Sequence, residues 1–324
     1  MNIYDIAKEA GVSISTVSKY LNHKNIRPEL KERVEAVIKK YNFVPNQIAR
    51  GLVFKSMKTV ALMVVDLRLF HYSQAAFYID KALSSQGYRV IICNMFGDRE
   101  ECVKNIKSLL NMGIDGIIFI GSIFNFLNQY PDLIVELDNL PIVSVNGHLN
   151  TKKSVSVLIN DKNAIYEATQ YLINKGRKNI HYIQYLDTNS AQNKASGYDK
   201  AMTEAKLDKH IHFTNEFVNG GYKVTNTIIR SRKPVDAIIC GEDLVAMGAM
   251  SCLKDANYIV GSEVDIIGYN ASDLTSLCDP RMTSVDNLCE ESSNIAAQLM
   301  LKLVNNQKVS DVTLNPVLVK KKSA

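Results

Sequence analysis

Residues 3–21, Ile3-Tyr4-Asp5-Ile6-Ala7-Lys8-Glu9-Ala10-Gly11-Val12-Ser13-Ile14-Ser15-Thr16-Val17-Ser18-Lys19-Tyr20-Leu21, read as two short helices joined by a tight turn. Ile3, Ile6, Ala7 and Ala10 give the first helix an inward stripe, and Val12, Val17 and Leu21 supply the facing one. Ala7 is small where the helices must cross. Gly11 can take positive φ to end the first helix, and Ser13 can cap the free N–H groups of the second. This pattern is a helix-turn-helix, which places its second helix in the DNA major groove. Ile14, Ser15 and Lys19 then lie on the outer face, within reach of base edges.

Outward from this motif, Pro28 opens a third helix to about Tyr41, with Leu30, Val34, Val37, Ile38 and Tyr41 at helical spacing. Pro45 ends the three-helix head. Residues 46–52 are too few for a stable isolated helix, and Gly51 weakens it further. From residue 59 the pattern changes. Apolar runs of strand length at 59–65, 88–93, 116–120 and 141–145 alternate with amphipathic helical stretches, the signature of a parallel α/β sheet. A second set begins near 155–159 and continues through 179–185, 235–240 and 264–268, so two α/β lobes are expected. Lys320-Lys321-Lys322 is expected to be a frayed tail.

The 324 residues, 46% hydrophobic and 22% charged, suffice for more than one buried core. The net charge of +5 is unevenly placed. Residues 1–58 hold 11 Lys/Arg against 5 Asp/Glu, leaving 27 against 28 for the rest, so the basic excess belongs to the head. The six cysteines show no C-x-x-C spacing and read as reduced thiols rather than disulfides or zinc ligands. No metal or cofactor is expected. No apolar run is long enough to span a membrane, and the chain opens on a polar helix rather than a secretory leader, which points to the cytoplasm. No G-x-G-x-x-G follows the strand at 59–65, and no P-loop, G-x-S-x-G or metal spacing stands elsewhere, so an enzyme is not indicated. The scattered histidines, among them His71, His148 and His181, read as surface or structural residues. A transport solute-binding protein would fit the two-lobe body but not the basic head.

Asp5-Ile6-Ala7, Ala10-Gly11-Val12-Ser13 and Thr16-Val17-Ser18, followed by Val44-Pro45-Asn46-Gln47-Ile48-Ala49-Arg50-Gly51-Leu52, resemble the lac-repressor/galactose-repressor family of bacterial transcription regulators. Downstream, Gly197-Tyr198, Asp243-Leu244-Val245-Ala246-Met247-Gly248-Ala249, Ile267-Gly268-Tyr269 and Met282-Thr283-Ser284-Val285 continue the resemblance. It implies an all-α helix-turn-helix head (1–45), a hinge helix and linker (46–58), and a periplasmic-binding-protein-like α/β body with parallel sheets (59–324). In such a body the chain crosses three times between an N-lobe (59–159 plus 288–309) and a C-lobe (160–287 plus the C-terminal strands). The implied partners are double-stranded operator DNA, a small-molecule effector and a second copy of the chain. No leucine heptad follows the last strand, so a homodimer is expected.

For DNA the resemblance points to Ile14, Ser15, Thr16, Ser18 and Lys19 on the recognition helix and to Asn46, Ala49, Arg50 and Leu52 in the hinge. Lys19 stands where relatives often carry an arginine reading guanine; it either donates to a base or contacts phosphate. Leu52 matches the leucine that wedges into a central base step, or else covers the adjoining domain. The resemblance also implies that the hinge folds on DNA. For the effector it points to Asn146, Gln192, Glu242 and Asn270, with Phe70 or Tyr72 for stacking. These depart from the arginine and aspartates of relatives, which leaves open a cleft for a neutral or amine-bearing ligand, or control by a partner protein of the kind known for catabolite-control relatives. Asn160 and Asp161 either cap the following helix or face the ligand.

Overall fold

In the computed structural model, which describes residues 2–21, 24–43, 56–95 and 98–324, the chain divides into two compact units between Lys58 and Thr59. In the first, α1 (Ile3–Ala10) begins with a reciprocal cap. Asn2 Oδ1 accepts from the backbone N–H of Tyr4 at 2.9 Å and Asp5 at 3.1 Å, and Asp5 Oδ2 accepts from Asn2 N at 2.8 Å. Gly11, at φ 61°, ends the helix where a side chain would run into the guanidinium of Arg33. Ser13 Oγ accepts from Thr16 N at 3.2 Å and so caps α2 (Ile14–Leu21). With α3 (Pro28–Lys40) these helices bury Ile6, Ala7, Ala10, Val17, Val34 and Val37. Each large aliphatic side chain contributes about 1.5–3 kcal/mol by leaving water. Tyr41, expected on the inward face, is exposed and donates its hydroxyl to Glu9 at 3.0 Å. The hinge positions Asn46, Ala49, Arg50 and Leu52 lie outside the described residues.

The second unit has two six-stranded sheets. The first is built from β1 (Thr59–Val64), β2 (Arg89–Asn94), β3 (Gly116–Ile120), β4 (Ile142–Val145), β5 (Ser154–Ile159) and, from the far end of the chain, β11 (Val312–Leu314). Its order is β11-β5-β4-β3-β1-β2, and every pairing is parallel. The second contains β6 (Ile180–Tyr185), β7 (His210–Thr214), β8 (Ala237–Cys240), β9 (Asp265–Tyr269), β10 (Thr283–Asp286) and β12 (Val317–Val319), in the order β12-β10-β9-β8-β6-β7. Only β12 in it runs antiparallel. The central strands are buried because helices cover both faces. The first sheet carries α4 (Phe70–Ser84), α5 (Arg99–Asn111), α6 (Pro131–Leu137) and α11 (Cys289–Val304). The second carries α7 (Asp161–Asn174), α8 (Asn189–Glu204), α9 (Val218–Arg230) and α10 (Asp243–Asp255).

Three expectations need correction, and one strand was not foreseen. Residues 154–159 do not open the second lobe but pair with β4 in the first sheet, Val143 opposite Val155. β11 joins the first sheet beside β5, so the C-terminal strands are divided between the lobes. β7 was not anticipated, since an edge strand with exposed Ile211 and Phe213 lacks a continuous apolar run. Lys320-Lys321-Lys322 is not frayed. Lys321 N donates to Thr283 Oγ1 at 2.8 Å and its ammonium to Thr275 Oγ1 at 2.6 Å, while Ser323 and Ala324 are buried. The chain does cross three times between the sheets, after β5, β10 and β11, and α11 packs back on the first.

Candidate nucleic-acid interface and ligand cleft

On α2, Ile14, Ser15 and Lys19 are exposed, and Thr16 and Ser18 are half-buried. Val17 alone points fully into the head core, so the opposite face presents the residues suited to a base edge. Ser13 Oγ lies 2.9 Å from both Ser15 Oγ and Thr16 Oγ1, which fixes the first turn of the helix. Lys19, near the helix C-terminus, brings a positive charge to this exposed face.

In the body the carboxyl ends of strands from both sheets face a common cleft, the usual ligand position in parallel α/β folds. Its cavity of about 120 Å³ is lined by Tyr72 and Asn146 from the first lobe and by Lys194, Glu242, Tyr269 and Asn270 from the second. Several strands end here in left-handed turns: Asn146 at φ 54°, Leu186 at φ 58° and Asn270 at φ 104°. Asparagine tolerates this backbone, and the turns aim its amide across the strand end. Gly121, at φ 113°, leaves room for the Tyr72 hydroxyl beside it.

Asp161 is the hub of the crossing between lobes. Its buried carboxylate accepts from the hydroxyl of Tyr269, from Ser190 Oγ at 2.5 Å and from Asn146 Nδ2 at 2.9 Å. Asn160, its neighbour, caps α7 through Asn163 N at 3.3 Å. The pair therefore divides the two roles the sequence left open: Asn160 caps and Asp161 faces the cleft. Lys194 lies with its ammonium 3.4 Å from the ring centroid of Tyr269 and donates to Gly241 O at 3.2 Å. Burial holds this ammonium below the usual lysine range, and Asp161, Glu242 and Asp243 oppose that shift. Glu242 is buried and caps α10 by accepting from Leu244 N at 2.5 Å. Burial, helped by the adjacent Asp243, pushes its carboxyl up to about 7. Asp243 is also pushed up by burial, to about 6, while Ser272 and Ser284 hold its oxygens and so fix the loop after β9.

His71, expected to be structural or on the surface, lines the cleft and lies 3.3 Å from Asn270 Nδ2 across the lobes; burial pushes its imidazole down to about 3. Asn287 Nδ2 donates to Asn270 Oδ1 at 2.8 Å, and the buried Asn287 Oδ1 has no hydrogen-bond partner. An acceptor in that position needs a donor from a ligand or from water. Among the effector residues named from sequence, Tyr72, Asn146, Glu242 and Asn270 line the cleft and two do not. Phe70 begins α4 but is absent from the lining. Gln192 faces an outer hollow and donates to Asp187 Oδ1 at 3.0 Å. The group reaching inward from α8 is Lys194. It lies one turn from Ser190, on the same helix face, whereas Gln192 points roughly 200° away from both. Helical phase from Gly197, which is packed against α7, was the signal that distinguishes the two positions.

Residues 2–46 match the family described as "Bacterial regulatory proteins, lacI family" and residues 57–323 the family described as "Periplasmic binding proteins and sugar binding domain of LacI family". An HTH-type transcriptional regulator of Lachnoclostridium phytofermentans is 32% identical over 99% of each chain. Catabolite control protein A of Staphylococcus epidermidis is 32% identical over 96% of this chain and 94% of its own. The chain belongs to the lacI family. It is a DNA-binding transcriptional regulator. At the level of fold, the lac repressor dimer bound to operator and the anti-inducer ONPF superposes with a TM-score of 0.87 at 21% identity, over 100% of this chain and 98% of that one. In this lacI-family chain Asn270 and Glu242 both line the cleft. Two buried acidic groups, Asp161 and Glu242, thus share the cleft with one ammonium, that of Lys194. Among the described residues no cluster of His, Cys, Asp or Glu could hold a metal, and no helix is long and apolar enough to cross a membrane.

Proposed function

We propose that this chain is a cytoplasmic repressor that binds a near-palindromic operator as a homodimer and is controlled by a neutral, polyhydroxylated ligand of the sugar class held between its lobes. The observation that carries the ligand reading is the buried Lys194 ammonium, set over Tyr269 and facing the same cavity as Glu242 and the unpartnered Asn287 Oδ1. A ligand with hydroxyl groups meets all three: it accepts from Lys194 and donates to Glu242 and Asn287. A charged ligand of either sign would meet a like charge in the cleft, at a cost that a neutral molecule avoids. Tyr72 offers an aromatic face for a sugar ring. In the head, Ile14, Ser15, Thr16, Ser18 and Lys19 contact DNA, and hinge residues Asn46, Ala49, Arg50 and Leu52 complete the contact from the minor groove.

The test is operator affinity of the full chain with and without a panel of neutral sugars and glycosides, read by fluorescence anisotropy. The expected result is a ligand that shifts operator affinity in the wild type and fails to do so in Lys194→Met. If no sugar acts and Lys194→Met leaves regulation in cells unaltered, the cleft is not the control point and a partner protein takes its place.

A further inference from the structure

Each sheet ends in two edge strands, β11 and β2 in the first and β12 and β7 in the second. Proteins protect such edges by keeping the strand short or by placing charges or proline on it. β11 and β12 are three residues long, and β2 begins on the exposed Arg89. β7, His210-Ile211-His212-Phe213-Thr214, has five residues with no Lys, Arg, Asp, Glu or Pro among them. It exposes Ile211 at 46% and Phe213 at 55%, and the two share one face of the strand. Lys209, next to the strand, is held by Asp199 at 2.7 Å. Leu186 N donates to Thr214 O at 3.1 Å, so Thr214 turns its backbone groups toward β6, and by alternation His210 and His212 do the same. The N–H and C=O of Ile211 and of Phe213 therefore point to the free edge.

We propose that β7 pairs antiparallel with β7 of a second copy of this chain, across a two-fold axis at His212. In that register Ile211 of each copy faces Phe213 of the other, and each such pair exchanges its outward N–H and C=O groups, so every free donor and acceptor of the strand is used. The strand is thus complementary to itself, which is what a two-fold contact requires. Moving the axis to Ile211 sets Phe213 against Lys209, and moving it to Phe213 sets Ile211 against Asn215; either loses an apolar pair. A single strand pair is smaller than the roughly 1,200–2,000 Å² of a stable interface, so the association is reversible and grows with concentration. Added to the homodimer proposed above, on which the size of the product rests, it gives a pair of dimers with four DNA-binding heads, an assembly suited to DNA that carries two operators.

The test is the mass of the full chain by light scattering, over a series of concentrations up to about 0.2 mM, for the wild type and for Ile211→Lys, Phe213→Lys and Val135→Lys. Val135 is 70% exposed on α6 of the first lobe and controls for the added charge. Unchanged thermal unfolding confirms that the variants fold. The wild type is expected to double its mass, from two chains to four, as concentration rises. Each β7 variant is expected to raise the midpoint of that doubling by about tenfold or more, because a two-fold contact carries the substitution twice, and Val135→Lys to leave it in place. A wild type that keeps one mass throughout overturns the edge pairing, and so does a doubling that survives both β7 lysines or is lost equally with Val135→Lys. The homodimer is read separately: β7 variants that hold at two chains keep it, and β7 variants at one chain throughout remove it.

Discussion

Glu242 sits in the cleft with its carboxyl pushed up to about 7 from an ordinary 4.5. Because the folded value is the higher, the stability tied to its neutral form is fully present below pH 4.5 and is lost as pH rises to 7, at a cost of about 3 kcal/mol. Glu242→Gln is expected to raise the unfolding temperature of the ligand-free protein at pH 8 and to change it little at pH 5, as read by differential scanning fluorimetry. With a neutral sugar bound, the same variant is expected to lose well under the roughly 1.5–3 kcal/mol of a charge-assisted hydrogen bond. A loss of that full size in titration calorimetry would mean an amine-bearing ligand. His181 acts on the other side of the pH range. It is buried against His210 and His212, with Nδ1 2.9 Å from His212 Nε2, and burial pushes it down to about 4. Its neutral form contributes stability above pH 6.5 that is lost as pH falls to 4, about 3 kcal/mol in all. His181→Phe keeps a ring in the stack and is expected to flatten that acid limb of the stability profile.

At the scale of elements, α7 and α8 cross so closely that a side chain on Gly197 would overlap the backbone of Lys162. The same two helices carry Asp161, Ser190 and Lys194 to the cleft. Gly197→Ala is expected to destabilise the body by about 1–3 kcal/mol in chemical denaturation, the usual range for overpacking, and to weaken ligand binding by displacing α8. The Gly197-Tyr198 pair thus has a structural origin: the glycine permits the crossing, and the buried Tyr198 hydroxyl donates to Ile180 O at 2.6 Å and accepts from His210 N at 2.9 Å. In the head, α2 presents Lys19 on its exposed face. Lys19→Ala is expected to cost on the order of 1–3 kcal/mol and to relax preference at one base pair in each half-site, measured against a panel of operator variants. A uniform loss across sequences would reassign Lys19 to phosphate.

For the whole molecule, the basic excess of residues 1–58 predicts that log operator affinity falls with log salt by about 0.9 for each phosphate neutralised. A flat response in anisotropy titrations between low and physiological salt would exclude the head as the DNA contact. Coupling between cleft and operator must be reciprocal, so whatever factor the ligand applies to DNA affinity, operator DNA applies to ligand affinity. Measuring ligand binding with and without a saturating operator duplex checks this on the full chain. A mismatch between the two factors would place the ligand effect outside the binding equilibrium.

The sequence by itself determined the elements whose cause is local. Gly11 and Ser13 mark the turn of the head, and the runs at β1 and β3 are apolar throughout because both faces of those strands are covered. Glu242 and Asn270 were named from the family resemblance rather than from local pattern, and both line the cleft at the ends of β8 and β9. What only the tertiary structure decided depends on contacts between residues far apart in the chain. β5 joins the first sheet because Val155 pairs with Val143, and β11 because Val312 pairs with Val157, partnerships that the runs themselves do not announce. Lys194 rather than Gln192 reaches the cleft because the packing of Gly197 on α7 sets the rotation of α8. Asp161, 108 residues from the Tyr269 hydroxyl that it accepts, becomes the hub only when the chain crosses between the lobes. A lone carboxylate at a helix start reads as a cap; three donors brought together by the fold make it part of the site.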